Sequence, residues 1–375
     1  MIFFYASLII AISCSLITER TLVGYNNIRS SLKALVFIMF MVAWTTPVLL
    51  SVIRRRMWFN DTIYNFLADF GYLCFGFAFI IFVLLIARDF IWFLTYYLSG
   101  KKEAINPYNI AILTKANIAT VVLAVIISAY GVWEGLKLPQ IKHMELYSDR
   151  ISAPVTVLQI NDLHLHRNKS VARLQKVIDM ANSLQPDIIA MPGDIIDDTV
   201  GALAPHLKEL ARLQAKYGVF VSPGNHEFYN GIVPTTWQFE QLGFNVLSTR
   251  GRRIEDLNIY MAGIPDNPNI YMLDEYPQLL EGSSPFDYKI LLAHNPKYTK
   301  DYMSLGFNLQ LSAHTHGGQI FPFHLMVKWV NKYLSGKYKI GDGVMYISNG
   351  AGYWGPPMRI LAPSDITLIT IKPQK

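Results

Sequence analysis

The chain has 375 residues, 52% of them apolar and 16% charged, with a formal net charge of +6. Its two cysteines, Cys14 and Cys74, both fall in apolar stretches, so the remainder has neither a thiolate metal site nor a cysteine nucleophile. The basic excess is spread over loops flanking the apolar stretches and the C-terminal part, with no long basic run alternating with aromatics, which speaks against nucleic acid as a partner.

The first 138 residues contain four uncharged apolar stretches, Ile2 to Thr18, Ala34 to Ile53, Phe70 to Ala87 and Ala116 to Trp133. Each approaches the roughly 17 to 25 residues a bilayer-spanning helix requires. The first stretch lacks the basic flank and small-residue cleavage site of a signal peptide, so it reads as an uncleaved span. Asp69 and the Arg88/Asp89 pair are polar groups at or near the third span, expected at helix ends or facing neighbouring helices. Loop charge does not orient the anchor. Arg20, Arg29, Lys33, Arg88, Lys101, Lys102 and Lys115 would lie on one side, against Arg54 to Arg56, Lys137 and Lys142 on the other. The expected organisation is a membrane anchor over residues 1–140 and a second domain over 141–375. That makes the chain an integral protein of the cell (inner) membrane, with the side served left open.

Beyond Lys137 the pattern changes to short β-branched runs divided by Gly, Pro and Asn, the signature of a layered α/β fold. Val171, Leu174, Val177, Ile178 and Ala181 recur at helical spacing, and a second helix is predicted over about 202–215. "NIYMAGI", "GVMYISN" and "DITLITI" are plainer strands. Five other runs end in residues able to bind metal: "PVTVLQIND" at Asp162, "PDIIAMPGD" at Asp194, "YGVFVSPGNHE" at Asn225 and His226, "DYKILLAHNP" at His294, and "FNLQLSAHTH" at His314 and His316. Singly, these are ordinary turn formers or isolated histidines. Together they follow strand ends, where active sites of such folds gather.

With one residue between them, Asp162 and His164 are expected to share one side of an extended backbone, as are His314 and His316. The oxygen and nitrogen donor set, Asp162, His164, Asp194, Asn225, His294, His314 and His316, suits Mn²⁺, Fe²⁺ or Zn²⁺ better than Mg²⁺ or Ca²⁺. Seven donors exceed the needs of one tetrahedral ion, and Asp194, at the tip of a Gly-Asp turn, is the natural bridge between two. Gly317 and Gly318 are expected to leave room for a substrate.

From about Val155 to Ile371 the chain resembles the calcineurin-like metallophosphoesterases. The blocks that carry the likeness are "DLH" at 162–164, "GDIID" at 193–197, "GNHE" at 224–227, the histidine of "LAHNP" at 294, and "AHTHGG" at 313–318. The resemblance implies a four-layer αββα sandwich preceded by about four transmembrane helices. It also implies one cation held by Asp162, His164, Asp194 and His316, and a second by Asp194, Asn225, His294 and His314. His226 then corresponds to the substrate-facing histidine that stabilises the transition state or protonates the leaving oxygen. The implied chemistry is hydrolysis of a phosphate ester, diester or pyrophosphate by a hydroxide that bridges two cations. Three positions depart from the family's habit: Ala313 where Gly is usual, Asn161 where Ser is common, and His166 where Gly is common. His166 is open to two readings, a substrate-facing residue or an exposed loop residue.

Residues 321–339, "FPFHLMVKWVNKYLSGKYK", mix Phe321, Phe323, Leu325, Met326, Trp329, Val330 and Tyr333 with Lys328, Lys332, Lys337 and Lys339. The segment reads as a contact for an anionic membrane surface, as a wall for an acyl chain, or as an ordinary amphipathic helix packed on the core. Membrane-associated members of the family resemble enzymes acting on lipid-linked phosphates, including UDP-diacylglucosamine pyrophosphatases, which makes membrane lipids and a lipid-linked substrate the expected partners. Two rival readings are a metal-stabilised binding or sensing module with vestigial hydrolysis, and a transporter carrying a regulatory phosphatase. The first is opposed by a complete donor set. The second rests only on Pro47 and Asp69.

Overall fold

The computed structural model describes residues 2–24, 28–56, 59–98, 109–266 and 278–374. They form two compact units, one of Met1–Glu134 with Gly355–Met358, the other of Gly135–Trp354 with Arg359–Lys375.

The first unit contains α1 (Ile2–Glu19), followed by a π-helical turn at Arg20–Gly24, then α2 (Ser30–Arg56), α3 (Asp61–Leu98) and α4 (Ile110–Leu136). Among the described residues these are the four helices long and apolar enough to cross a membrane. Each outruns the apolar stretch that predicted it. At 38 residues α3 is about 57 Å long, well beyond a hydrocarbon core of about 30 Å. Trp44 of α2 meets Phe75 and Phe82 of α3 edge-on, at 5.7 Å between ring centroids in each case. Two buried hydroxyls within the helices return to the carbonyl one turn earlier, Ser15 to Ala11 at 2.6 Å and Thr120 to Ala116 at 2.8 Å, so they need no water. Arg88 pairs with Asp89 at 2.6 Å and donates to Asn117 of α4, so it faces a neighbouring helix. Asp69 is exposed on α3, and Pro47 sits inside α2. Lys101, Lys102 and the side chains of Arg54 to Arg56 lie outside the described residues.

The second unit is built on two six-stranded sheets. The first runs β1 (Gln140–Ser148), β12 (Asp365–Pro373), β2 (Val155–Gln159), β3 (Ile188–Met191), β4 (Val219–Val221) and β5 (Asn245–Val246) in spatial order, with β2 to β5 parallel. The second runs β10 (Gly336–Ile340), β11 (Gly343–Ile347), β9 (Leu309–Ser312), β8 (Tyr288–Ala293), β7 (Ile259–Ile264) and β6 (Arg250–Ile254), with β11, β9, β8 and β7 parallel. β1, β5, β6 and β10 lie at or beside sheet edges and escape a search for apolar runs. β10, for example, alternates half-buried residues with Lys337 and Lys339, the charged habit of an edge strand.

Between the sheets, Val157, Ala190 and Phe220 of one meet Met261, Ile290 and Leu311 of the other. On the first sheet's outer face lie α5 (Val171–Ser183), α6 (Ala204–Leu210) and α8 (Ile232–Gln241), the last preceded in the chain by the short α7 (Asn225–Tyr229). Leu174, Ile178, Leu207 and Leu210 from these helices cover Leu158, Ile189 and Val221. Met303 of α9 (Thr299–Met303), with Phe307, covers Ala262 and Leu291 on the far side. The result is the expected αββα layering, with α10 (His324–Asn331) added beyond β9.

The predicted periodicity holds for α5, whose Ser170 side chain caps it by accepting from the Arg173 N–H at 3.2 Å. The helix predicted over 202–215 is shorter. α6 follows a 3₁₀ turn at Val200–Leu203 and stops at Leu210. There Asn182 of α5 takes over the backbone, donating to the Arg212 carbonyl at 2.7 Å and accepting from the Gln214 N–H at 2.9 Å.

Candidate metal centre

Each predicted donor lies one to five residues beyond a strand's carboxyl end: Asp162 and His164 after β2, Asp194 after β3, Asn225 and His226 after β4, His294 after β8, and His314 and His316 after β9. Within each sheet these strands run parallel, so their carboxyl ends lie on one side, and five loops converge. They bring together three groups of facing donor atoms, each within 4.8 Å: Asp162, His164 and His316; His164, Asp194 and His226; and Asp194, His294 and His314. Asp194 belongs to two of them. Its Oδ2 lies 3.2 Å from His294 Nε2 and 3.7 Å from His164 Nε2.

The convergence does not come from extended backbone, as the one-residue spacing suggested. Asp162, His164, Asp194, His314 and His316 all adopt left-handed φ values, between 46° and 72°. That region is costly for residues with a Cβ and collects at functional sites. Left-handed turns, not strand pleating, aim these side chains inward. Glycine is needed where the loops touch: a Cβ on Gly224 would collide with the Asp194 carboxylate, and one on Gly318 with His324. The space beside Gly317 and Gly318 is therefore not open to substrate, because Asn349 and His324 fill it.

Hydrogen bonds fix which ring nitrogen faces the centre. His294 Nδ1 donates to the Pro192 carbonyl at 2.8 Å, leaving Nε2 to point at Asp194 and, at 3.2 Å, at His314 Nδ1. His164 and His316 face each other through their Nε2 atoms at 2.9 Å. Such nitrogens, set against buried carboxylates, form a cage for positive charge. Fit to a cation is supported by Asn225, whose buried Oδ1 has no hydrogen-bond partner among the described residues. An amide oxygen left in that state, one residue before His226, is a donor of the kind that a second cation site calls for.

The electrostatics follow from burial and from the carboxylates. Burial would raise Asp194, but the charges of His294, His226 and His164 outweigh it and hold its pKa below the ordinary value. Asp162 is pushed up, chiefly by burial. Burial would depress His294 and His226, but nearby carboxylates dominate and lift them to about 10 and about 9. His314 falls to about 3, through burial and then the charge of His294. His316 falls well below its usual range for the same kind of reason, with His164 and Arg359 beside it.

Sequence reasoning passed over four residues that hold the donors in place. Asp197 receives His226 Nδ1 at 2.7 Å and His164 Nδ1 at 2.8 Å on the same oxygen, Oδ1. Glu227 is fully buried and accepts from the backbone N–H groups of Asp194, Ile195, Ile196 and Gly224 at 2.7 to 3.1 Å, tying two ligand loops together. Its place three residues after the helix-capping Gly224 was the available signal. Asn161, one of the departures from the family's habit, donates to Asp162 Oδ2 at 2.9 Å. Arg359, also fully buried, binds the carbonyls of Asn349 and Gly352 at 2.8 and 2.7 Å and that of His316 at 3.2 Å.

Of the other departures, Ala313 is fully buried and donates its N–H to the His294 carbonyl at 2.9 Å. His166 belongs to none of the three donor groups. It is half-buried rather than exposed, and its Nδ1 accepts from the Asn168 N–H at 3.3 Å.

The family profile described as calcineurin-like phosphoesterase matches residues 155–318. An uncharacterized metallophosphoesterase of Campylobacter jejuni is 30% identical over 342 residues, covering 90% of this chain and 89% of its own length. Another, from Helicobacter pylori strain J99, is 33% identical over 249 residues, 65% of this chain and 67% of its own. A transmembrane protein with metallophosphoesterase domain from Danio rerio is 28% identical over 278 residues, 69% of this chain and 63% of its own. Since the most extensive of these likenesses runs through the apolar helices as well as the donor loops, the chain belongs to the calcineurin-like phosphoesterase family.

Proposed function

We propose that the protein is a membrane-anchored hydrolase of phosphate ester or pyrophosphate bonds that uses two divalent ions, Mn²⁺, Fe²⁺ or Zn²⁺, and acts on a lipid-linked substrate. The observation that carries the reading is Asp194, shared between two groups of inward-facing donors, and it is supported by the unpartnered buried oxygen of Asn225. Asp162, His164, Asp194 and His316 would hold one ion, and Asp194, Asn225, His294 and His314 the other. When bound, two such ions offset charge on the phosphoryl oxygens and lower the pKa of an attacking water.

The chain's own residues supply the rest. Asp197 orients His226 so that Nε2 faces the centre, 3.8 Å from Asp194 Oδ2, and keeps the ring protonated at neutral pH. From there His226 donates a hydrogen bond to a phosphoryl oxygen and a proton to the departing oxygen. Glu227 and Asn161 fix the carboxylates, so little reorganisation is needed as charge builds. The lipid-linked substrate is supported by the four membrane-length helices in the same chain.

The test uses the full chain in lipid discs, loaded with Mn²⁺ and given a chromogenic phosphodiester beside a bacterial lipid extract. Hydrolysis that disappears with a chelator and in Asp194→Asn, together with loss of one phospholipid from the extract, is the expected result. Equal turnover by wild type and variant, or none in either, would return the second unit to the binding-module reading.

A further inference from the structure

α10 is turned inside out. On a helical spiral of 100° per residue, Leu325, Met326, Trp329 and Val330 occupy one side, and that side faces out: Trp329 is 83% exposed, Leu325 63% and Met326 54%. The inward side carries His324, Val327 and Asn331, with Asn331 buried. A helix packed on a core in water has the reverse arrangement. The ordinary amphipathic-helix reading of this segment therefore fails, because its stripe points away from the protein.

The stripe does not stand alone. Phe321, 48% exposed, precedes α10 and is joined by its N–H to the Ile360 carbonyl at 3.2 Å, which puts the 74% exposed Leu361 beside it. Lys328 on the helix, Lys332 at its end, and Lys337 and Lys339 on β10 are all exposed. The patch lies just past residue 318, where the match to the family ends. It is also attached to the metal centre, since α10 begins against Gly318 of the His314–His316 loop.

We infer that α10 and the Phe321 and Leu361 tips form an interfacial foot that rests in the headgroup layer of an anionic bilayer. Apolar groups enter the acyl boundary while lysines meet lipid phosphates, the arrangement of helices that lie in a membrane surface. The chain's own four bilayer-length helices bring such a surface within reach, and the lysines specify its charge. This contact does not depend on hydrolysis.

The experiment places one environment-sensitive fluorophore at Met326→Cys in a full-length Cys14→Ser, Cys74→Ser background, with Asp256→Cys, exposed elsewhere on the second unit, as control. The protein is reconstituted in discs of phosphatidylcholine, with or without phosphatidylglycerol, containing brominated acyl chains as quencher. The expected result is quenching at 326 but not at 256, at least about twofold stronger with phosphatidylglycerol, and returned to the zwitterionic level by combined Lys328→Gln, Lys332→Gln, Lys337→Gln and Lys339→Gln. No quenching at 326 beyond that at 256 would overturn the inference. So would quenching indifferent to both phosphatidylglycerol and the lysines, or a spectral shift seen only in discs holding two copies. Hydrolysis of a soluble diester, measured in parallel, separates the two ideas: an active enzyme with an unquenched label loses only the foot, and a quenched label on an inactive protein loses only the hydrolase.

Discussion

The two units treat the same side chains in opposite ways. In the first, apolar residues such as Ile9, Ile126 and Phe66 stand 60% or more exposed along the helices, and polar groups such as Ser15 and Arg88 find partners one turn away or on a neighbouring helix. In the second, apolar residues fill three layers between and outside the sheets, while Asp162, Asp194, His294 and Arg359 are buried to 2% exposure or less. One cost governs both, that of a polar group left unpaired in a medium of low dielectric. The first unit avoids it by burying few charges. The second concentrates charges at one point and surrounds them with hydrogen-bond partners, which is the arrangement of a site rather than of a stabilising core.

The difference is broken most severely at Asp194, the carboxylate shared by two of the three donor groups. Asp194→Asn keeps the shape and removes the charge, so metal content measured by elemental analysis should fall and kcat drop by about a thousandfold or more. A protein that kept both metal and turnover would show that the buried charge serves packing alone. Next in size is His226→Ala, which removes a proton donor but no bridging carboxylate. Metal content should hold, while kcat falls by roughly a hundred- to thousandfold.

Asp197→Asn should cost less, about ten- to a hundredfold, the usual range for a residue that orients a metal ligand. Its sharper signature is in pH. Burial alone would depress His226, and the negative charges of Asp197 and then Asp194 raise it to about 9. If the protonated ring is the working form, activity falls as pH climbs through about 9. Without the Asp197 charge the imidazolium is less favoured, so the alkaline limb should move to lower pH. A lower kcat with an unmoved limb would mean that Asp197 only positions His164.

The donors could be read from sequence because each interrupts a β-branched run, and a change from Val and Ile to Asp or His at a strand end is a local event. Their supports could not. Arg359 reaches the His316 carbonyl across 43 positions, and Asp197, two residues after buried Ile195, reads alone as a turn former. Left-handed turns at Asp162 and His316 were also hidden, since spacing by two fits a pleated strand as well as a pair of tight turns. The layers followed from the interior strands, whereas edge strands such as β10 carry lysines and leave no apolar run. For α10, the 3.6-residue pattern marks a stripe but carries no sign saying which way it faces.

The smallest expected effect tests the first unit's side of the comparison. Ile126 lies mid-way along α4 and is 60% exposed, so truncating it removes contacts with the surrounding medium rather than with neighbouring side chains. Ile290, fully buried between the sheets, would leave a cavity on the same truncation, because packed neighbours relax only partly. In lipid discs, Ile126→Ala should therefore change stability by no more than about 0.5 kcal/mol, since lipid chains fill the gap that a rigid core cannot. Thermal unfolding of the full chain, followed in discs for both variants, checks this. A loss at Ile126 as large as that at Ile290 would mean that α4 is covered by protein, and the contrast between an apolar exterior and an apolar interior would have to be redrawn as one between two packed cores.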